Sequence, residues 1–241
     1  MSDKKIEMTP QGVPIVESIP LRGIARLTAQ FMSQSHQEYA ALTGMVELDF
    51  TNLVEFREDL LSKQPADSPR TSMTHLMIKI LALALKEHPR LNASFIDDQI
   101  KMLGEINIGL AVALENGELV VPVIRNADKL SIEEITVEAE RLSNKIRGGK
   151  IDLKDVSGGT FTFSNFGMFG GDIATPLINP PQTAILALGR IIPKPVVMDG
   201  EIVIRKMAWI SMTCDHRIIN GVQAAMFSRS LTEMINNPIQ I

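Results

Sequence analysis

The chain has 241 residues, 45% of them hydrophobic and 22% charged, enough for the core of one large domain. A net charge of -4 argues mildly against a nucleic-acid partner, which needs a basic surface, and nine Phe, one Trp and one Tyr make no visible stacking platform for single strands. The longest apolar run, around Ile80 to Leu85, is far too short to span a membrane, and a single cysteine, Cys214, excludes an internal disulfide and fits a reducing compartment, the cytoplasm.

Residues 1 to 19 read as the end of a linker, because Lys4, Lys5, Pro10, Gly12 and Pro14 follow no helical period and no secretory signal is expected there. The domain proper is expected over residues 20 to 241. A helix is predicted from about Gly23 to Ser35, with Ile24, Leu27, Phe31 and Met32 on one face. A strand over Met45 to Phe50 follows, then a helix over Asn52 to Lys63 with Thr51 as its cap. Residues 64 to 71 read as a loop. Thr74 to Glu87 is a nearly all-apolar helix, so it is expected to be buried on most sides. Strands over Ile106 to Leu114 and Leu119 to Ile124 flank Glu115-Asn116-Gly117-Glu118, a hairpin signal. Ser131 and Glu134 form a capping box for a helix that Gly148-Gly149 ends. Strands follow at Thr160 to Ser164 and Thr183 to Leu188. Val196 to Met198 and Ile202 to Ile204 are joined by the Asp199-Gly200 turn, Trp209 to Thr213 is a further strand, and a last helix runs from Gly221 to Ile235. The fold class is α/β: a two-layer arrangement in which helices pack mainly on one side of a mixed sheet.

The chain has four histidines, His36, His75, His88 and His216, none with the paired spacing of a zinc site, so no metal is expected. No Gly-rich loop leads from a strand into a helix as nucleotide binding requires. His216 is singled out because it sits where an apolar strand gives way to a helix, amid polar neighbours. An imidazole there is exposed and oriented, as a general base must be, although a histidine satisfying a turn has the same setting. Cys214, two residues earlier, would share a face with it on a strand; the alternative is a small buried apolar residue. Ser164 and Asn165 end a strand before a Gly-rich turn, where a hydroxyl can donate to a developing oxyanion or merely serve the turn.

Asp215-His216-Arg217-Ile218-Ile219-Asn220-Gly221 resembles the Asp-His-Arg-x-x-Asp-Gly motif of dihydrolipoamide acyltransferases, the core subunits of 2-oxoacid dehydrogenase complexes. Chloramphenicol acetyltransferases share the fold and the His-x-x-x-Asp-Gly part. The likeness continues through Ile19-Pro20-Leu21-Arg22-Gly23-Ile24, Leu91-Asn92-Ala93-Ser94, Asn107 to Val112, Gly158 to Gly167 and Ile178-Asn179-Pro180-Pro181-Gln182, in family order over about 200 residues. The resemblance implies a chloramphenicol acetyltransferase-like fold and a homotrimer with its active sites at subunit interfaces, assembled into a larger shell. It implies coenzyme A and a lipoyl group, carried on a separate lipoyl domain, as substrates reaching the site from opposite sides. His216 would take the thiol proton and Ser164 would donate to the oxyanion, with Asn220 completing the catalytic set. Contacts to coenzyme A would fall to Arg57, Ser72, Ser164, Asn165 and Gly189. Decarboxylase and dihydrolipoamide dehydrogenase subunits would be partners through upstream domains that these 241 residues do not include.

Two positions depart from the pattern: Asn220 stands where the family has its second Asp, and Ala25 where it has an Arg. Losing one charge of a buried pair is costly and losing both is cheap, so the two are read as a compensated swap, the alternative being that Asn220 caps the last helix. Competing functions are a stand-alone coenzyme A-dependent acyltransferase, a structural shell subunit with weak activity, and a Cys214-based thioester hydrolase. The terminal run from Met234 to Ile241, apolar and uncharged, reads as a plug for a neighbouring subunit.

Overall fold

The structure, a computed structural model, describes residues 7–114, 117 and 119–241. Residues 7–19 form no helix or extended strand, only a turn closed by an isolated bridge between Met8 and Pro14. From there the order is α1 (Gly23–Glu38), β1 (Ala41–Asp49), α2 (Thr51–Lys63) and α3 (Met73–Glu87). Five short strands follow: β2 (Ala93–Ile96), β3 (Gln99–Met102), β4 (Ile108–Leu110), β5 (Val112–Ala113) and β6 (Leu119–Val120). Then come β7 (Val123–Ile124), α4 (Ile132–Arg147), α5 (Leu153–Val156), β8 (Phe161–Asn165), β9 (Ala184–Leu188), β10 (Ile192–Met198), β11 (Glu201–Asp215) and α6 (Gly221–Asn236).

One mixed sheet organises the chain. Its strand order is β1-β11-β9-β8-β4-β7, with β10 pairing β11 beyond that path. β8 runs parallel to both β4 and β9, and the other pairs are antiparallel. Alternation along the strands separates two faces. Ala208, Ile210, Met212 and Cys214 of β11, Leu186 and Leu188 of β9, and Phe161 and Phe163 of β8 join the core with α3, α4 and α6. Ser211, Thr213, Ile185, Ala187, Thr162 and Ser164 point the other way. α3 is buried along most of its surface, through Leu76, Met77, Ile78, Ile80, Leu81, Ala82, Ala84 and Leu85, as its composition predicts. The capping box of Ser131 with Glu134 and the end of α4 at Gly148 are as expected.

Several expectations are corrected. The stretch from Glu201 to Asp215 is one 15-residue strand rather than two, because its ladder against β1, β9 and β10 runs unbroken through Arg205 and Lys206. The stretches 106–114 and 119–124 are each broken into two short strands. Val112 and Ala113 pair with Val120 and Leu119 as a hairpin requires, while Glu115, Asn116 and Glu118 of its turn lie outside the described residues. Thr51 does not cap α2: Phe50 is the N-cap, and the Thr51 hydroxyl accepts from the Lys206 N–H. On α1, Leu27 and Phe31 are exposed, so its apolar stripe is not spent on this chain's core. The terminal run is mostly docked at home, with Ile235 and Pro238 buried and only Ile239 standing out as a large apolar side chain.

α3 starts with an unusual capping box. The Ser72 hydroxyl accepts from the His75 N–H at 3.3 Å, and His75 Nδ1 accepts from the Ser72 N–H at 3.2 Å. That bond requires a neutral imidazole, and burial pushes the His75 pKa down to about 4. The unfolded chain therefore takes up the proton first. The contribution of this group to stability is complete above about pH 6.5 and is lost as pH falls towards about 4. His75→Gln keeps the box without a titrating group. Unfolding curves measured between pH 7 and pH 4 should show a shallower loss of stability in this variant than in the wild type, and parallel curves would contradict the role.

Candidate active site

β11 ends at Asp215, and the next five residues form the turn that leads into α6. Every backbone N–H of this turn has a partner. The His216 N–H donates to Ala40 O at 2.8 Å, the Asp215 N–H donates to Thr183 O at 2.9 Å, and the Asp215 carbonyl accepts from both Ile218 and Ile219. The His216 side chain is exposed, between buried Asp215 and buried Ile218 and Ile219. A fixed backbone with a free imidazole is the arrangement a general base needs.

Cys214 does not pair with it. The cysteine faces the core and is 1% exposed, whereas His216 lies beyond the strand, so same-face alternation does not apply. Burial, reinforced by the Asp215 charge, pushes the thiol up to about 11, which leaves no thiolate for nucleophilic attack near neutrality.

Asn220 is the N-cap of α6. Its Oδ1 accepts from the Gln223 N–H and the Gln223 side chain accepts from the Asn220 N–H, both at 3.0 Å. The residue is exposed and the Nδ2 group takes no part in the cap. In the single chain a carboxylate in its place would meet solvent. A different ion pair braces the turn, one that the sequence reading did not single out. Arg217 grips Asp215 through Nε and Nη2, with the shortest contact at 2.6 Å, and the Asp215 side chain has no exposure at all. The only sequence signal is the alternation of opposite charges on either side of a histidine.

The other predicted residues gather at the opposite end of the sheet. Ser164 and Asn165 are consecutive on β8, so they point to opposite faces. Asn165 turns to the helices, where its Nδ2 donates to the Thr74 hydroxyl at 3.0 Å. Ser164 is half-buried on the other face, and among the described residues its hydroxyl is given no hydrogen-bond partner. Arg57 donates through Nε to Thr71 O at 2.8 Å and so holds the loop before Ser72 against α2. Gly189 follows β9 and is a glycine for a steric reason: a Cβ there would lie 2.0 Å from Asp172 O. Arg57, Ser72, Asn165 and Gly189 thus surround the ends of β8 and β9 and the start of α3. Among the described residues, no group of three or more His, Cys, Asp or Glu side chains is placed to hold a metal, and no helix is long and apolar enough to cross a membrane.

The register separates Ser164 from His216. Ser164 is level with Ala187, and Ala187 is level with Ser211. Asp215 lies four residues beyond that row, about 13 Å along the strand, and the turn carries His216 further. Ser164 is also two strands away, roughly 10 Å across the sheet. The two side chains do not meet within one chain.

The family model described as 2-oxoacid dehydrogenases acyltransferase (catalytic domain) matches residues 14–241. The dihydrolipoyllysine-residue acetyltransferase component of the pyruvate dehydrogenase complex of Mycoplasma capricolum is 38% identical over 92% of this chain and 51% of its own length. The mitochondrial dihydrolipoyllysine-residue succinyltransferase component of the 2-oxoglutarate dehydrogenase complex of Saccharomyces cerevisiae is 39% identical over 87% of this chain and 45% of its own. The chain therefore spans about half the length of these relatives. Among solved structures, the dihydrolipoamide acetyltransferase of Azotobacter vinelandii superposes with a TM-score of 0.87 at 31% identity, covering 92% of both chains. That structure was determined to investigate a serine, a histidine and an asparagine in the catalytic mechanism, with the asparagine four positions after the histidine. An asparagine at this place is thus found within the family, which removes one of the two departures read from the sequence. A chloramphenicol acetyltransferase shares the fold at a TM-score of 0.54 and 14% identity, over 86% of this chain and 94% of its own. The chain belongs to the family of 2-oxoacid dehydrogenase acyltransferases, of which it carries the catalytic domain.

Proposed function

We propose that this domain moves an acyl group between dihydrolipoamide and coenzyme A, in a site closed between two copies of the chain. The observation that carries the reading is the pairing of an exposed, backbone-fixed His216 with a Ser164 hydroxyl that its own chain holds too far away to use. The serine, histidine and asparagine of the Azotobacter enzyme stand at the same separations as Ser164, His216 and Asn220, four residues for the last two. In this reading His216 accepts the proton of the attacking thiol. The thiolate adds to the thioester carbonyl, and the Ser164 hydroxyl of a second copy donates to the oxyanion. Collapse expels the other thiolate, which recovers the proton from His216. A thiol of pKa about 8.5 is mostly protonated at neutral pH, so the base is needed, and an oxyanion donor is worth roughly 3 kcal/mol of barrier.

Coenzyme A and the lipoyl group are substrates here, not resident cofactors. The start of α3 with Arg57, Ser72, Asn165 and Gly189 is the proposed coenzyme A side. The Nη groups of Arg57 are the donors its bond to Thr71 does not use, whereas Ser72 is engaged in its cap and Gly189 supplies clearance. A trimer, a larger shell, a lipoyl domain on the same or another chain, and decarboxylase and dihydrolipoamide dehydrogenase partners complete the proposal. Residues 1–19 serve as a linker end in it, and the single buried cysteine suits a reducing compartment, the cytoplasm. The defining assay is acyl exchange between acyl-coenzyme A and free dihydrolipoamide. Exchange onto a hydroxyl acceptor instead would indicate a stand-alone acyltransferase, and no exchange a structural subunit.

His216→Ala and Ser164→Ala should each lower transfer by about 100-fold or more. When the two inactive proteins are dissociated, mixed in equal amounts and reassembled, about a quarter of the interfaces combine an intact histidine with an intact serine. Recovery of about that fraction of wild-type activity is the expected result, and a mixture as inactive as its parents would show that one chain supplies both groups.

Asn220→Asp keeps a capping oxygen and should leave the melting temperature nearly unchanged, whereas Asn220→Ala should cost about 1 kcal/mol. Combined with Ala25→Arg, the aspartate should show a coupling below about 0.5 kcal/mol in a double-mutant cycle. A larger coupling would restore the compensated-swap reading.

A further inference from the structure

Two charged residues flank His216, and they hold each other. Asp215 Oδ1 accepts from the Arg217 N–H at 3.1 Å and from Arg217 Nε at 3.0 Å, while Oδ2 accepts from Nε at 3.0 Å and Nη2 at 2.6 Å. The fork therefore closes a small loop whose middle residue is His216. The Asp215 side chain is fully buried and that of Arg217 is 36% exposed. The guanidinium also lies against two aromatic rings: its Cζ is 4.6 Å from the Phe95 ring centre and 5.5 Å from that of Tyr39. Burial, then the Asp215 charge, pushes the Tyr39 hydroxyl up to about 12, so this wall stays a neutral phenol. Arg90 closes the far side, donating to Ile218 O at 3.3 Å.

We propose that Asp215 and Arg217 are positioning residues that set the direction of the His216 imidazole, with Phe95 of the β2–β3 hairpin as the roof that holds the guanidinium plane. The proposal rests on the reading of His216 as the base. Both side-chain anchors sit one residue from His216, so the turn cannot rotate about His216 without breaking the fork. A monodentate cation would neutralise Asp215 equally well but would leave that rotation free, because an ammonium has no planar fork and does not stack in the same way. The geometry thus separates two roles that usually coincide, charge neutralisation and orientation.

Arg217→Lys is the discriminating variant, because it keeps the charge and loses the fork. Steady-state acyl exchange gives kcat and KM for both substrates. The rate at which diethyl pyrocarbonate modifies His216, read by peptide mass spectrometry with His36 as the internal standard, reports the imidazole without reference to turnover. In the folded, assembled Lys variant both KM values are expected within about twofold of wild type. The same variant should lose about tenfold or more in kcat, since a misplacement of about 1 Å at a reacting group costs on that scale. The modification rate of His216 should change at least about threefold, with that of His36 unchanged. If Arg217→Lys yields no folded protein, Phe95→Leu, which leaves both charges and removes the roof, is expected to show the same split to a smaller degree. A folded Lys variant with kcat and His216 modification both at wild-type values would overturn the proposal and reduce the pair to neutralisation; so would a wild-type Phe95→Leu if Lys does not fold. If His216→Ala itself kept full transfer, the base reading would fall, and the modification rates would still report whether the fork orients the ring.

Discussion

The register of β11 against β9, and of β9 against β8, is the constraint from which the site follows. It seats Ile210, Met212 and Cys214 on the core face with Leu186, Leu188, Phe161 and Phe163. A slip of one residue would turn that whole set outwards, so the register is held by the core of the domain. The same register places Ser164 level with Ser211, four residues short of the end of β11. No adjustment of the turn after Asp215 recovers that distance, since closing it would require moving the core. A shared site between copies is thus the arrangement compatible with both residues acting on one substrate.

Much of the architecture was legible because local signals and tertiary demands agreed. Ser131 with Glu134 specified the start of α4, Asp199-Gly200 specified the β10–β11 turn, and the unbroken apolar character of α3 announced its burial. The failures have physical reasons. The long β11 reads as two strands because the adjacent charges Arg205 and Lys206 look like an interruption, whereas both are paired in the ladder against β10 and Arg205 is neutralised by Asp49. Thr51 has the residue type of a cap, yet its hydroxyl is claimed by Lys206 across the chain. At the site, His216 stood out by its setting at a strand end. The Asp215–Arg217 fork did not, because a bond between residues two apart depends on the turn geometry and not on any periodicity. Ser164 and Asn165 look like one unit in the sequence, whereas strand alternation sends them to different faces.

Asp215 also shows where electrostatic free energy is concentrated. Pairs such as Lys63–Asp59 and Arg229–Glu233 lie in solvent and contribute little, about 0–1 kcal/mol each at most. Asp215 is fully buried, and removing its partner outright would cost roughly 3–5 kcal/mol, because the carboxylate would be left uncompensated. A well-packed apolar pair at the same place would serve stability equally well or better. Stability alone therefore does not account for a buried charge pair beside the one exposed histidine in this turn, whereas an oriented fork does.

The end of β8 carries a complementary rigidity. A Cβ on Gly167 would lie 2.4 Å from Gly189 O, and one on Gly171 would lie 2.1 Å from the Phe166 ring. The turn after Asn165 therefore packs backbone against backbone on the segment after β9, with the Arg190 N–H donating to Gly171 O at 2.9 Å. This contact leaves Ser164 little freedom to move with respect to β9, while Asn165 is tied to α3 through Thr74. An oxyanion donor is effective when it need not reorganise as charge develops. Both ends of the proposed reaction are built this way by different means: the hydroxyl stands on a strand end clamped by glycine contacts, and the imidazole on a turn clamped by a buried fork. Such fixed ends suit a site assembled from two chains, because each half must arrive with its geometry already set before the other is present.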